Sequence, residues 1–542
     1  MDFSIVKNTA IKNFIIILLL SFCFFIPILS VIHKSPMADE RRHFYQALRY
    51  LANVHTSFKV GPSISPPLEA LNALPLIFLK VDFSKDIKYF YNYLFWARCV
   101  TPFFTLLLAF FVYRWARELY GEKAGVFALA LYTFCPNILA HSALMTTDVP
   151  FTSLSFIWFY YFWKTINSYS YKNILLCSLF FGLALISKFN FLMFIPIYLF
   201  TGLLVFLTTA THERKIYLGR IILLSVVIIF IGSAILNFSY YFNYEPFPLS
   251  KVLKKISWIG NVFPFFGNLE KQKIMANIFL PIPYNYLREL ECVIDESHHG
   301  HPAFLMGCFS NKGWLYYYLV AFFIKTPIPV LIFLILSIYS TVKNPMLRDK
   351  SKIGEYFLWI PPLCIFLMVS LQHCQIGIRH ILPVYPFIFV IMSRIVYSEF
   401  MKKKNFRIFF AVLITWLIFS SVSIFPHYIA YFNELMGGPN QGYKYLLDSN
   451  LDWGQDLLGL KNYMEKNKIK KIKLSYFGNT KPEYYNIEYE ELSSGPTTGF
   501  IAVSANHLQG IGLEGGYERY LWLKKYKPIA KIGYSIFVYD IK

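Results

Sequence analysis

Long apolar runs, separated by short polar links, constrain the fold of this chain more than any other feature of its sequence. Hydrocarbon cannot hydrogen-bond to a bare backbone, so such runs enter a bilayer as helices. With 56% hydrophobic residues and a mean hydropathy of +0.45, the chain is neither disordered nor an ordinary soluble enzyme. The predicted fold is mainly α and polytopic, with about eleven spans. The runs cover residues 14–32, 91–113, 124–139, 149–163, 174–186, 191–208, 221–238, 314–338, 356–371, 381–395 and 408–425.

The lysines and arginines predict which side each link occupies. The formal net charge is +21, and most cations fall in short links between apolar runs. Cytoplasmic links are enriched in Lys and Arg, which places the N-terminus and these links inside. Nucleic-acid binding would need a soluble basic face and is not expected. We expect a multi-pass protein of a bacterial inner (plasma) membrane, with segments 33–90 and 239–313 and the tail from about 426 facing the periplasm or exterior.

The composition changes after the last apolar run. Residues 444–468 have the pattern of an amphipathic helix, and residues 471–477, 499–504 and 535–540 resemble short strands. A helix and several strands over this length can bury a core of their own. The prediction is a transmembrane domain, residues 1–430, and a small outer α/β domain, residues 431–542.

Three carboxylates stand at the outer ends of apolar runs. Asp39 and Glu40 follow the first run, and Asp148 precedes another. An ionised carboxylate near hydrocarbon costs about 2.5 kcal/mol or more unless it meets water or a partner, which favours a functional role. Helix capping or pairing with the adjacent arginines is the alternative. Lys188, Arg379 and His380 lie in short links on the same predicted side, so one outward-facing site is expected.

Motifs along nearly the whole chain resemble those of the GT-C superfamily of polyprenyl-phosphate-sugar-dependent glycosyltransferases. The nearest families are the bacterial relatives of protein O-mannosyltransferases and of the lipid A aminoarabinose transferase. The matching stretches keep a fixed order and a common sidedness. They are residues 39–43 (DERRH), 66–68 (PPL), 141–150 with a Thr-Thr-Asp core, 182–188, 300–302 (GHP), 325–327 (KTP), 377–380 (GIRH) with 382–383, and 448–456 (DSNLDWGQD).

The resemblance implies a glycosyltransferase whose donor is a sugar on a polyprenyl-phosphate lipid. Asp39 would be the general base, with Glu40 and Asp148 as the other catalytic carboxylates. Lys188, Arg379 and His380 would bind the donor phosphate, although Lys188 and Arg379 also suit interfacial anchors. Ser65 and Ala70 stand where relatives often have His and Lys, so this segment departs from the pattern that implies a phosphate or acceptor contact there. The sugar and the protein, lipid or glycan acceptor stay open.

Other polar residues are weaker candidates. His43, His301 and Lys325 are possible acceptor-contacting or site-lining residues. A divalent metal is a possible cofactor, but its candidate ligands match no closed zinc spacing and also suit a polar loop. These candidates are Asp295, Glu296, His298 and His299.

Two further patterns leave alternatives open. Residues 448–452 begin like a calcium loop, but Trp453 and Gly459 stand where Gly and Glu are required. This stretch is instead predicted to join the last span to the outer domain, with acceptor contact as the alternative. Cys292 and Cys308 share one polar segment and would pair only in an oxidising compartment.

A transporter or flippase of lipid-linked sugars is the rival function. It predicts charges near mid-membrane and broken helices in symmetry-related halves. The sequence shows neither apart from Lys325, which lies well inside an apolar run. The charge distribution therefore favours the enzyme.

Overall fold

The computed structural model describes residues 3–56, 67–81, 90–244, 281–343, 349–514 and 516–542. These residues are mostly helical, as predicted. The helices are α1 Phe3–Val31, α2 Glu40–Thr56, α3 Leu74–Phe78, α4 Phe90–Arg98, α5 Thr101–Tyr120, α6 Glu122–Thr133, α7 Pro136–His141, α8 Asp148–Asn167, α9 Tyr171–Leu185, α10 Phe194–Thr208, α11 Arg214–Ser239, α12 Tyr284–His299, α13 Tyr317–Lys325, α14 Ile328–Lys343, α15 Asp349–Ser370, α16 Val384–Ser393, α17 Lys404–Ser423, α18 Leu457–Lys466 and α19 Ala505–Gln509.

The bundle has central and peripheral helices, which differ in how they bury apolar side chains. All of α16 is buried, and so is all of α8 except Lys164 and Asn167. By contrast, α11 and α17 expose large apolar side chains, among them Phe230 and Phe419. A soluble protein rarely leaves such continuous apolar surface exposed, whereas lipid covers it readily. This is the architecture of an integral membrane protein.

Every predicted apolar run coincides with helix, but the number of spans stays a prediction. Among the described residues, five helical segments are long and apolar enough to cross a membrane, or six if one bent pair counts as a span. The others are shorter or divided; α6 and α7, for example, share one predicted run. The sidedness of the bundle also stays a prediction.

The run at 314–338 is not one straight helix, which corrects the prediction. Helices α13 and α14 meet at an angle of 113°, at Thr326-Pro327. Proline has no backbone N–H, so the break leaves some helix carbonyls without their usual backbone N–H partner. Asn137 donates to the Lys325 carbonyl at 2.7 Å, and Asn433 donates to the carbonyls of Phe323 and Thr326. These amides make the break tolerable inside an apolar bundle.

The segment that follows α1 is structured where it is described. It forms helix α2 and, further along, a 3₁₀ helix, Pro67–Ala73, followed by α3. Ser65 and Pro66 of the predicted motif lie outside the described residues.

The C-terminal segment contains a five-stranded mixed sheet. Its strands are β3 Lys471–Ser475, β4 Glu488–Glu491, β5 Gly499–Ser504, β6 Ala530–Ile532 and β7 Ile536–Ile541; β1 Ala303–Leu305 and β2 Cys308–Ser310 form a separate pair. The strand order in the five-stranded sheet is β4-β3-β5-β7-β6, parallel between β4, β3 and β5 and antiparallel elsewhere. Helix α18 buries Leu457, Leu460 and Met464 among apolar side chains of the sheet. The predicted helix at 444–468 is wrong over its first half, where the chain forms turns and short 3₁₀ segments.

Buried polar contacts hold this sheet segment against the helices. The Lys34 ammonium lies 2.5 Å from the Asp456 carboxylate, which also accepts from the Ser535 hydroxyl. Asn450 accepts from the Ile378 N–H and donates to the Tyr317 hydroxyl. The stretch 448–456 therefore forms a junction between the helices and the sheet segment. The 430/431 domain boundary stays a prediction.

Asp452 makes this junction sensitive to pH. Burial raises the pKa of its carboxyl to about 7, although the N–H groups of Asn506 and Gly454 act in the opposite direction. An unfolded Asp titrates near pH 4, so between about pH 4 and 7 the unfolded chain holds fewer protons than the folded one. Stability is therefore expected to fall as pH rises through this window, and Asp452→Asn should flatten the dependence. Thermal unfolding in detergent at several pH values, with exposed Asp540→Asn as control, measures this; equal slopes in all three proteins would contradict it.

Candidate active site

The central contact of the site joins two residues that are far apart in sequence. An Arg379 Nη1–H donates to Asp39 Oδ2 at 2.8 Å. The guanidinium also lies over the Trp453 ring, 4.3 Å from its centroid. Asp39 follows α1, whereas Arg379 belongs to the 3₁₀ turn Ile378–Ile381 between α15 and α16. A planar guanidinium suits this arrangement because it can stack on a ring and still donate from its edges.

The electrostatics keep Asp39 ionised. Burial alone would raise the pKa of this carboxyl, but the charges of Arg379, His43 and Arg42 together lower it. Its side chain is still 29% exposed, so solvent or a ligand can reach it. The Arg379 Nε–H is buried without a hydrogen-bond partner among the described residues. Arg379 thus has donor capacity that the described residues do not use.

A second ion pair lies beside the first. Asp148 begins α8, and its Oδ1 accepts from Lys188 Nζ at 2.6 Å. The Asp148 side chain is 2% exposed and that of Lys188 is 21% exposed, so the cation is the accessible member of the pair. Arg379 is also within electrostatic range of Asp148. The structure therefore brings together four of the predicted site residues: Asp39, Arg379, Asp148 and Lys188.

His380 lies next to this pair of ion pairs. Its ring stacks on Tyr318 with centroids 6.1 Å apart, and its Nδ1 is buried without a partner among the described residues. Burial, assisted by the positive charge of Arg379, lowers the pKa of His380 to about 3. The imidazole is consequently neutral at physiological pH. It can offer a hydrogen bond to a ligand, but it adds no positive charge.

Glu40 occupies a different position from its neighbour Asp39. It is 0% exposed and bound by both Nε and Nη2 of Arg98, at 2.8 and 2.5 Å. It also accepts from the backbone N–H groups of Met37 and Met145. Each of the two Glu40 carboxylate oxygens therefore accepts two hydrogen bonds from the protein. This geometry favours a role in fixing the loop that carries Asp39, rather than contact with a substrate.

The three weaker site candidates, His43, His301 and Lys325, lie in different surroundings. His43 Nδ1 lies 2.9 Å from Glu69 Oε1, one turn after Asp39. His301 is exposed and contacts the carbonyl of Pro302. Lys325 is buried and donates to the carbonyls of Ile429 and Asn450. Lys325 therefore uses two of its three N–H donors on backbone carbonyls, and its ammonium also lies 4.6 Å from the centroid of the Phe432 ring.

The metal candidates do not converge in the described part of the chain. Asp295, Glu296 and His299 lie on α12, where His299 Nδ1 contacts the Asp295 carbonyl. The His298 side chain lies outside the described residues. Within the described ranges, no three His, Cys, Asp or Glu side chains are placed to hold a metal ion. Cys292 and Cys308 are both exposed and are not joined to each other.

Sequence reasoning misses two residues that shape this site. In the sequence, Trp453 stands out only as a residue that breaks a calcium loop, and Arg98 does not stand out at all. An aromatic residue inside the DSNLDWGQD motif is the available signal for Trp453. Nothing in the sequence around Arg98 indicates that it reaches Glu40, 58 positions away.

Replacing Arg379 with lysine tests whether the stacked, forked guanidinium matters beyond its charge. A lysine keeps the positive charge but cannot both stack on Trp453 and donate in two directions. For the sugar transfer that the motif resemblance leads us to expect, Arg379→Lys should lower kcat/KM by about 100-fold, the usual loss when one donor to a developing negative charge is removed. Exposed Arg407→Lys is the matched control. Wild-type kinetics in Arg379→Lys would show that any cation is sufficient.

Comparison with known proteins agrees with this architecture. Residues 88–232, which include Asp148 and Lys188, match the model of a family described as dolichyl-phosphate-mannose-protein mannosyltransferase. No curated protein matches the chain in sequence. Among solved structures, the apo oligosaccharyltransferase of Archaeoglobus fulgidus is similar, with a TM-score of 0.50 and 15% identity over 77% of this chain. This chain spans only 55% of that protein's length.

Two other structures cover more of this chain at slightly lower TM-scores. ArnT from Cupriavidus metallidurans, solved with undecaprenyl phosphate, has a TM-score of 0.49 and 10% identity, covering 96% of this chain and 97% of ArnT. AglB from A. fulgidus, solved with an inhibitory peptide and a dolichol phosphate, has a TM-score of 0.49 and 14% identity, covering 91% of this chain and 62% of AglB. The chain thus has a GT-C fold and resembles, over residues 88–232, the dolichyl-phosphate-mannose-protein mannosyltransferases, which confirms the resemblance seen in its motifs.

Proposed function

We propose that this protein is a membrane glycosyltransferase that moves a sugar from a polyprenyl-phosphate carrier to a hydroxyl or amine of an acceptor. The observation that carries the proposal is the adjacent placement of the Asp39–Arg379 and Asp148–Lys188 ion pairs. It provides an accessible carboxylate and two cations at helix ends. Phosphoryl groups require such cations, and attack by a hydroxyl requires such a base.

In this proposal the reaction is a single displacement. The acceptor oxygen or nitrogen attacks the anomeric carbon while Asp39 takes its proton. The bond from that carbon to the phosphate oxygen breaks, and its electron pair leaves with the polyprenyl phosphate. Arg379 and Lys188 stabilise the resulting negative charge. Attack opposite the leaving group inverts the anomeric centre.

Binding of the lipid-linked sugar donor would also make Asp39 a stronger base. In the structure, Arg379 stabilises the ionised form of Asp39 and so lowers its pKa. A lipid phosphate that hydrogen-bonds to Arg379 competes with Asp39 for the guanidinium. Asp39 then loses part of that stabilisation, and its affinity for the acceptor proton rises. Asp148, buried against Lys188, acts in this scheme as a positioning residue for the second cation.

A flippase is the competing function, because α13 and α14 form a broken helix. In transporters such breaks leave carbonyls for the substrate. Here the carbonyls at the break are bonded to Asn137 and Asn433, and Lys325 donates to two further carbonyls. These contacts favour a structural role for the break.

Purified protein in proteoliposomes separates the two functions. The vesicles would contain undecaprenyl phosphate carrying labelled mannose or glucose, together with a bacterial membrane extract as acceptor. The enzyme is expected to release undecaprenyl phosphate in proportion to label gained by the acceptor. Label that changes leaflet while still attached to its carrier would support the flippase and overturn the proposal.

A further inference from the structure

A second cluster of buried polar groups lies next to the ion pairs, and the proposed reaction leaves it without a role. We define the Glu289 cluster as Glu69, Tyr240, Tyr286 and Glu289. Glu69 belongs to the 3₁₀ helix Pro67–Ala73, Tyr240 caps α11, and Tyr286 and Glu289 lie one turn apart on α12. Three separate elements therefore direct polar side chains towards one another.

The cluster has many hydrogen-bonding groups that the described residues do not satisfy. Both oxygens of Glu289, one oxygen of Glu69 and both tyrosine hydroxyls are buried without a partner in the described part of the chain. Glu289 is 3% exposed, Tyr286 4% and Tyr240 6%. Burying such groups unpaired is unfavourable, and native proteins rarely gather several of them in one place. Their convergence indicates a place for a polar ligand.

The chemistry of the cluster is mixed rather than purely acidic. Burial, reinforced by the nearby Glu69 carboxylate, raises the pKa of Glu289 to about 9, so its carboxyl is protonated at neutral pH. Both a protonated carboxyl and a phenol donate one hydrogen bond and accept others. Aromatic rings complete the surroundings: Tyr286 lies 5.9 Å from Tyr240 and 5.0 Å from Phe189, between ring centroids. A metal ion would need a denser set of ligands than this cluster offers.

The position of the cluster relates it to the proposed reaction. Phe189, which packs on Tyr286, directly follows Lys188. On the other side, Glu69 binds His43, whose backbone N–H donates to the Asp39 carbonyl. The cluster is thus linked to the proposed phosphate-binding lysine and to the proposed base. A sugar that reacts between these two residues must place its hydroxyls nearby.

We infer that the Glu289 cluster is a sugar subsite, in which Glu289, Tyr240 and Tyr286 hydrogen-bond to hydroxyl groups of a pyranose or furanose ring. Sugar hydroxyls both donate and accept, as the cluster requires, and the C–H faces of the ring pack on aromatic side chains. The ring belongs either to the lipid-linked donor or to a glycan acceptor, since both present the same chemistry. The inference rests on the proposed function in placing this sugar at the reaction centre.

Tyr240→Phe, Tyr286→Phe and Glu289→Gln test the subsite without creating cavities. The first measurement compares binding of undecaprenyl phosphate with that of its mannose and glucose derivatives. If the donor sugar occupies the cluster, each tyrosine variant should bind the sugar-bearing lipid about 3- to 10-fold more weakly, the usual effect of one lost hydrogen bond, with affinity for the sugar-free lipid unchanged. Glu289→Gln should be milder, because an amide also donates and accepts. Tyr526→Phe, at an exposed position, is the control.

A second measurement covers an acceptor sugar and does not depend on transfer. Mannobiose and maltose are added to wild type and variants, and the change in thermal unfolding temperature is compared. Stabilisation of wild type that shrinks in Tyr240→Phe and Tyr286→Phe would assign the cluster to an acceptor. Variants identical to wild type in both measurements would overturn the inference. Failure of the wild type to bind any polyprenyl phosphate would instead overturn the proposed function, and the oligosaccharide measurement would still decide the subsite.

Discussion

Asp39→Asn is expected to abolish most transfer while leaving the fold intact. The substitution keeps the size of the side chain and one acceptor for Arg379, but an amide cannot take a proton from the attacking acceptor. Loss of a general base typically costs about 10²–10⁴-fold in rate. The measurement is kcat with saturating lipid-linked donor, together with the thermal unfolding temperature.

Two controls make this result specific. Asp540→Asn, exposed near the end of β7, makes the same chemical change away from the site and should retain full activity. Binding of undecaprenyl phosphate by Asp39→Asn should be equal to or tighter than that of wild type, because Arg379 loses a competing anion. Normal transfer by Asp39→Asn would remove Asp39 from the mechanism.

Arg98→Met is expected to destabilise the fold strongly. It leaves the fully buried Glu40 carboxylate without its cation, and breaking a buried pair on one side typically costs about 3–5 kcal/mol. This is a large part of the free energy of unfolding of a typical protein, about 5–15 kcal/mol. The thermal unfolding temperature in detergent and the yield of folded protein measure the loss.

A double variant tests the reason for this loss. Arg98→Met with Glu40→Gln removes the uncompensated charge and retains one acceptor oxygen, which can serve one of the Met37 and Met145 N–H groups. It should recover a substantial part of the stability lost in Arg98→Met. Exposed Arg407→Met should have little effect by itself. A double variant less stable than Arg98→Met would show that the charge of Glu40 is not the source of the loss.

The helices could be predicted because bilayer helices leave a strong local signal. Each apolar run is long enough to be recognised without its neighbours, and all of them are helical in the structure. The errors occurred where tertiary contacts decide the conformation. The bend at Thr326-Pro327 depends on amides from Asn137 and Asn433, which are distant in sequence. The turns that replace the predicted helix at 444–456 depend on side chains such as Asn450 bonding to another segment.

The candidate site was predictable as a set of positions but not as a set of pairs. Charged residues at the ends of apolar runs are rare enough to be recognised, so Asp39, Asp148, Lys188 and Arg379 were identified. The sequence could not show that Asp39 pairs with Arg379 while adjacent Glu40 pairs with Arg98. Neighbouring residues on a chain point in different directions, so similar carboxylates acquire different surroundings. The Glu289 cluster was missed because its members are scattered among ordinary aromatic and polar residues.

The most direct test of the proposed function is transfer of labelled sugar from a panel of polyprenyl-phosphate sugars to a membrane extract, by purified wild type and Asp39→Asn. We expect label to move from at least one donor with wild type, with an equal amount of polyprenyl phosphate released, and about 10²–10⁴-fold more slowly with Asp39→Asn. Intact donors throughout, with a correctly folded wild-type protein that binds them, would contradict the assignment as a glycosyltransferase.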